Sequence, residues 1–203
     1  MEDKMIKNEI KRLIASVAPY DLLEKKHIED ACDWISDDKN IFRIKKDAIP
    51  PKHLVSYAVV IDPREKKILL FDHKKANLML PSGGHININE MPLAAAKREL
   101  KEELRLSLDI YKLDNNKPEK PFFVTVTQTV GISTPHTDVS LWFLFEEDST
   151  KPFKSSSDEY DKEFYNFHWL SFNEVLSSPI KLFDPCMHRV IKKIYLSILP
   201  ILP

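Results

Sequence analysis

Glycine is nearly absent from this chain: three residues in 203, two of which, Gly83 and Gly84, stand side by side. A glycine pair in so glycine-poor a sequence marks a place where backbone freedom, or close approach to a ligand, is wanted. Cysteine is equally scarce. Cys32 and Cys186 are far apart and have no metal-ligand spacing, which excludes a disulfide framework and reads as buried or free thiols of a reducing compartment. Charge of one sign is also missing, since 30 basic residues face 31 acidic ones for a formal net charge of −1. That balance offers no broad attraction for nucleic acid or for an anionic membrane. An anionic substrate would have to be held locally. No long apolar run is present either: Ile194–Leu199 is too short to span a bilayer and is followed by Pro200 and Pro203. The charged start Met1-Glu2-Asp3-Lys4 does not read as a signal peptide, so the expected location is the cytoplasm. No internal repeat or low-complexity tract is found.

What is present is the composition of an ordinary globular protein, 43% hydrophobic and 30% charged. The length suits one good-sized core with an appendage, or at most two small domains. Ile6, Ile10, Leu13, Ile14 and Val17 recur at helical spacing until Pro19, and Leu22, Leu23, Ile28, Ala31, Cys32 and Ile35 form a second stripe. A polar connector from Asp37 closes at Pro50-Pro51, so residues 1–48 are expected to be a helical extension and 49–203 the main domain. Strands are predicted over Val55–Ile61 and Lys67–Phe71, joined by the turn Asp62–Lys66, and later over Phe122–Val130, Val139–Phe145 and Phe164–Leu170. Short helices are predicted at Phe172–Ser177 and Met187–Leu196. Strands mixed with packed helices point to an α+β or α/β sandwich.

The most informative stretch runs from Gly84 to Glu103. After the glycines, Pro92 can open a helix at its first turn, with Leu93, Ala96 and Leu100 on a face to be buried. At about 100° per residue, Glu102 lies near 300° and Glu103 near 40° when Glu99 is set to zero. All three carboxylates therefore fall on one stripe. Like charges at such spacing repel, so a helix that keeps them together usually binds something positive. Hard divalent cations prefer such oxygen donors, and no His/Cys cluster in the sequence suggests zinc instead.

Gly84, five residues, Glu90, seven residues, then Arg98-Glu99-Leu100-Lys101-Glu102-Glu103 resembles the Nudix box position by position. One departure is Arg105, where that family usually has a helix-ending glycine. Further resemblance, to a bacterial Nudix subgroup, is carried by Asp72-His73-Lys74, by Leu80-Pro81-Ser82-Gly83-Gly84-His85, by His136-Thr137-Asp138-Val139-Ser140-Leu141-Trp142, and by Glu163-Phe164 ahead of His168-Trp169. It covers about residues 50–195.

The resemblance implies an α/β/α sandwich with a mixed sheet, preceded by the N-terminal helices. It implies hydrolysis of the pyrophosphate linkage of a nucleoside diphosphate derivative: a nucleotide sugar, an ADP-ribose-like compound or a nucleoside triphosphate. Mg²⁺ or Mn²⁺ would be the cofactor. Glu99, Glu102 and Glu103 would reach the metal, with Glu102 or Glu103 able to take the proton of the attacking water. Arg98 would pair with Glu90 or Glu99 and fix its rotamer. In the loop before Phe164, Glu163 is preferred to Glu159 as a further catalytic carboxylate. Gly83, Gly84, His85, His136 and Asp138 are weaker candidates for touching substrate; a turn-capping Asp and an exposed His are equally good readings of the last two. Trp142 and Phe143 alternate on a strand, so one of them should face the core. The alternative function is a catalytically weak, nucleotide-sensing module. The expected partner is a small nucleotide, with no membrane and no stable nucleic acid, and homodimer formation is left open.

Overall fold

The computed structural model describes residues 2–37, 40–45, 49–111, 119–129, 135–152 and 163–198. In chain order the elements are α1 (Glu2–Ala15), α2 (Leu22–Ser36), β1 (Lys52–Asp62), β2 (Lys67–His73), β3 (Leu78–Leu80), β4 (Ser82–His85), α3 (Pro92–Leu104), β5 (Phe123–Gln128), β6 (Thr137–Glu146), β7 (Phe164–Ser171), α4 (Phe172–Ser177) and α5 (Met187–Ile198). The strands form one sheet in the order β3-β2-β1-β6-β5, with β4 paired to β1 and β7 paired to β2. Sheet and helices together make the mixed α/β fold of the expected sandwich class. None of the described helices is long and apolar enough to cross a membrane.

Contacts divide the chain into two compact units, the first comprising Met1–Tyr57, Gly83–Arg98 and Lys120–Phe143, the second Ala58–Ser82, Glu99–Glu119 and Leu144–Pro203. In the first unit, α1 packs on α2 and α2 on β5. Asp21 starts α2 by accepting the Glu24 backbone N–H at 2.8 Å. Glu24 itself is fully buried and accepts from Tyr20 N at 2.5 Å and from Val124 N at 3.2 Å. A helix carboxylate thus occupies a backbone donor of the edge strand β5, which would otherwise be open to pairing with another chain. Ile10, Ile14, Ala31, Phe123 and Trp142 are completely buried in this unit.

In the second unit, β2 is antiparallel to β3 and to β7, with a register shift between Phe71 and His73. Ser171 caps α4 through a reciprocal box with Glu174: Glu174 N donates to Ser171 Oγ at 3.1 Å, and Ser171 N donates to Glu174 Oε2 at 2.7 Å. Helix α5 buries Met187, Val190, Ile191 and Ile194, and packs against α4. On α3, Leu100 and Leu104 are buried within this unit, as Ala95 and Ala96 are within the first.

The sequence reading gave no strand to Ser82–His85, treating it only as the approach to the helix. It is strand β4, because the glycines let its backbone lie against β1. Trp142 and Phe143 are both buried, and the Trp142 Nε1–H donates to Thr125 Oγ1 at 3.1 Å, which makes Trp142 a core residue.

Candidate functional site

Gly83 has a steric explanation. A Cβ built on Gly83 would lie 2.5 Å from the Ser56 carbonyl oxygen and 2.6 Å from a Tyr57 ring carbon, and no described glycine has a positive φ. Close approach to β1, rather than a left-handed turn, is what requires glycine there. Ser56, fully buried, then donates its hydroxyl to the Pro92 carbonyl at 2.7 Å, pinning the start of α3.

Arg98 pairs with Glu90, one of its two candidate partners. Its Nε and Nη2 donate to Glu90 Oε1 and Oε2 at 2.9 and 3.1 Å, and Nη2 also reaches the His85 carbonyl at 3.1 Å. Glu90 Oε2 accepts the Asn87 N–H at 2.9 Å as well. Burial raises the Glu90 pKa, but the Arg98 and Asn87 hydrogen bonds outweigh it and hold the carboxyl below its usual value. The loop before α3 is therefore tied to the helix by one fork-shaped ion pair.

Within the second unit, the carboxylates of α3 differ in environment. Glu103 is 7% exposed and accepts the Ser82 hydroxyl at 2.6 Å. Glu102 is exposed and Glu99 half-buried. Arg105, the departure from the family pattern, adopts φ 53° and ends the helix in the left-handed region, its N–H donating to the Lys101 carbonyl at 3.2 Å. The chain accepts backbone strain there, on the order of 1 kcal/mol, instead of running the helix on.

Glu163, also in the second unit, has its carboxylate 3.5 Å from His73 Nε2 and 3.3 Å from Lys75 Nζ. His73 Nδ1 accepts the N–H groups of Lys75 and Ala76, so Nε2 carries the proton offered to Glu163. Asp72 and His168 form a similar pair at 2.9 Å. Residues that carry the resemblance from distant parts of the sequence are thus side-chain partners: Asp72 of β2 with His168 of β7, and His73 of β2 with Glu163 just before β7. Glu159 lies outside the described residues. A broad cleft lined by Asp62, Asp109, Glu119, Glu146 and Glu147 lies elsewhere in this unit, and its acidic wall is unsuited to a phosphate.

The ligand-type side chains most closely gathered among the described residues are in the first unit. His53, His85, His136 and Asp138 bring one donor atom each to within 4.8 Å of one another. The sequence reading named three of these four as contacts for substrate and expected no His cluster; His53 was missed. No local spacing could have revealed it, because the four positions come from β1, β4, the segment before β6 and β6 itself. Burial pushes the His85 imidazole down to about 3, with the charges of Arg43 and His53 adding to the effect. Asp138 is held below its usual value: burial raises it, but His53, His136, the Thr129 hydroxyl and His85 together outweigh that.

Comparison with known proteins agrees with the fold. The family model described as "NUDIX domain" matches residues 51–193. A NUDIX-family hydrolase from Clostridium perfringens shares the fold at TM-score 0.53 and 24% identity, covering 71% of this chain and 97% of that one. The E. coli dihydroneopterin triphosphate pyrophosphohydrolase aligns at TM-score 0.52 and 14% identity over 80% of this chain and 99% of that one. A NUDIX hydrolase from Nitrosomonas europaea gives 0.51 and 19% over 74% and 95%. No protein of curated function matches closely enough to lend this chain a substrate. With the family match spanning most of the sequence, the chain belongs to the NUDIX family and is a Nudix pyrophosphohydrolase.

Proposed function

We propose that this enzyme hydrolyses the phosphoanhydride of a nucleoside diphosphate derivative (a nucleotide sugar, an ADP-ribose-like compound or a nucleoside triphosphate) with Mg²⁺ or Mn²⁺ held by Glu99, Glu102 and Glu103. The observation that carries the reading is the unbroken acidic stripe on α3, the helix whose middle is tied to the preceding loop by the Arg98–Glu90 fork. Three carboxylates within little more than one helical turn are a hard-oxygen donor set, which fits these cations. When bound, such an ion neutralises the charge of the pyrophosphate and lowers the pKa of a water.

The chain's own residues divide the remaining work. Glu103, buried and oriented by Ser82, is the pre-set ligand. Glu102, exposed, is assigned the proton of an attacking water in this reading. Glu163 is the further catalytic carboxylate of the proposal; its pairing with His73 and Lys75 fixes its position. His85, His136 and Asp138 are assigned to their own cluster rather than to substrate contact. The subgroup motifs and a cytoplasmic setting belong to the same reading, with residues 1–48 as an extension of the 49–203 domain.

The test is release of nucleoside monophosphate or phosphate from a nucleotide panel with Mg²⁺ and Mn²⁺, before and after Glu102→Gln. Loss of a transition-state charge partner lowers kcat by on the order of 10²–10³-fold. Unchanged turnover in that variant would remove the metal-site assignment.

A further inference from the structure

We infer that His53, His85, His136 and Asp138 bind one transition-metal ion, Zn²⁺ or its like, at a site separate from the acidic stripe of the box. Its donors are three imidazole nitrogens and one carboxylate oxygen, a set that suits zinc and is foreign to Mg²⁺.

Hydrogen bonding fixes which atoms face inward. His53 is completely buried, and its Nδ1 lies 2.8 Å from the Pro50 carbonyl oxygen. A carbonyl only accepts, so Nδ1 carries a proton, and in the neutral ring it is Nε2 that presents a lone pair. An imidazole whose other nitrogen donates to a backbone carbonyl is the usual orientation of a metal-ligating histidine. Asp138 is held in the same way: its Oδ2 accepts the Thr129 hydroxyl at 2.9 Å, which directs Oδ1 toward the rings. Among the described residues, the buried His53 Nε2, His85 Nε2 and Asp138 Oδ1 find no hydrogen-bond partner. Three buried polar atoms left so, side by side, are costly unless something occupies the space between them.

The spacing matches a metal. With bonds of about 2.0–2.1 Å, a tetrahedron has edges of about 3.3–3.4 Å. His53 Nε2 and His136 Nε2 lie 3.3 and 3.4 Å from Asp138 Oδ1. His85 completes the set, with all four donors inside 4.8 Å. Anion binding is disfavoured because a carboxylate stands within the group. A proton shared between His53 Nε2 and Asp138 Oδ1 is the competing occupant, and a cluster that keeps it in the presence of metal would show no uptake. Joining β1, the glycine strand β4 and the start of β6, the ion would act as a staple of the first unit.

The experiment uses the full chain after chelator treatment, titrated with Co²⁺ and followed by visible absorption, then displaced with Zn²⁺. Expected are one equivalent per chain, the intense absorption of tetrahedral cobalt, and a rise in melting temperature with Zn²⁺. The signal should persist when Glu99, Glu102 and Glu103 are all changed to Gln, which separates this site from the proposed catalytic one. Asp138→Asn and His136→Gln should weaken binding by at least about tenfold, the loss that even outer-shell partners of metal sites produce. Should those variants not fold, X-ray absorption of the zinc-loaded wild type still decides, since imidazole ligands give distinctive outer-shell scattering. Absence of tetrahedral cobalt, affinity unchanged in Asp138→Asn, a signal lost with the box glutamates, or a zinc shell without imidazoles would each overturn the inference.

Discussion

Arg98 holds Glu90 with two nearly parallel hydrogen bonds, Nε to Oε1 at 2.9 Å and Nη2 to Oε2 at 3.1 Å, tying the loop ahead of α3 to the middle of that helix. Glu90→Gln removes the charge from this fork. Its folded pKa lies below the usual 4.5, so its contribution is fully present above that pH and is lost as pH falls through the folded value. Near neutral pH the variant should be less stable by on the order of 1–2 kcal/mol, after allowing for partial exposure. Denaturant titrations of both proteins from pH 7 to pH 3 should show the gap closing on acidification. A gap independent of pH would contradict the assignment.

Ser82 and Glu103 make the second contact of consequence, at 2.6 Å and buried. Under the proposed function, Ser82→Ala frees the rotamer of a metal ligand without altering its charge. The Mg²⁺ concentration for half-maximal activity should rise on the order of tenfold, while kcat at saturating metal changes less. An unchanged metal dependence would show that Glu103 is not a ligand.

Arg105 bears a left-handed backbone that the family usually gives to glycine. Arg105→Gly should relieve that cost and stabilise the protein by about 1 kcal/mol, offset in part by the greater freedom of glycine in the unfolded chain. Thermal unfolding of the two proteins measures it. A lower melting temperature would mean that the Arg105 side chain makes contacts worth more than the strain.

Residues 1–48 are expected to be inseparable from the fold. Deleting them removes Glu24 from the Val124 N–H, leaves the edge of β5 open, and uncovers apolar surface that faces Ile10, Ile14 and Ala31. The truncated chain should aggregate or lose cooperative unfolding, as an exposed edge strand predicts. A soluble, fully active 49–203 fragment would instead assign the helices to something other than support.

Much of this was readable in residue order. The Phe172–Ser177 helix, the break at Pro19, the opening of α3 at Pro92 and the hairpin around Asp62–Lys66 all rest on local signals: a proline, a cap, a period of two or of 3.6. The alignment of Glu99, Glu102 and Glu103 is likewise a consequence of helical geometry alone. Strand β4 escaped notice because a four-residue run of Ser-Gly-Gly-His has no apolar alternation; only the neighbouring backbone of β1 makes it a strand.

The amino-acid order alone decided the acidic stripe, the family and the chemistry class, because all three depend on residues within one helix and the turn before it. Folding in three dimensions decided that Arg98 pairs with Glu90, that Gly83 serves close packing against Ser56, and that Glu24 seals an edge strand. It also gathered His53, His85, His136 and Asp138, separated by up to 85 positions, into one cluster around the buried His53. Such a cluster depends on strand pairing, and strand pairing joins residues without regard to their distance along the chain.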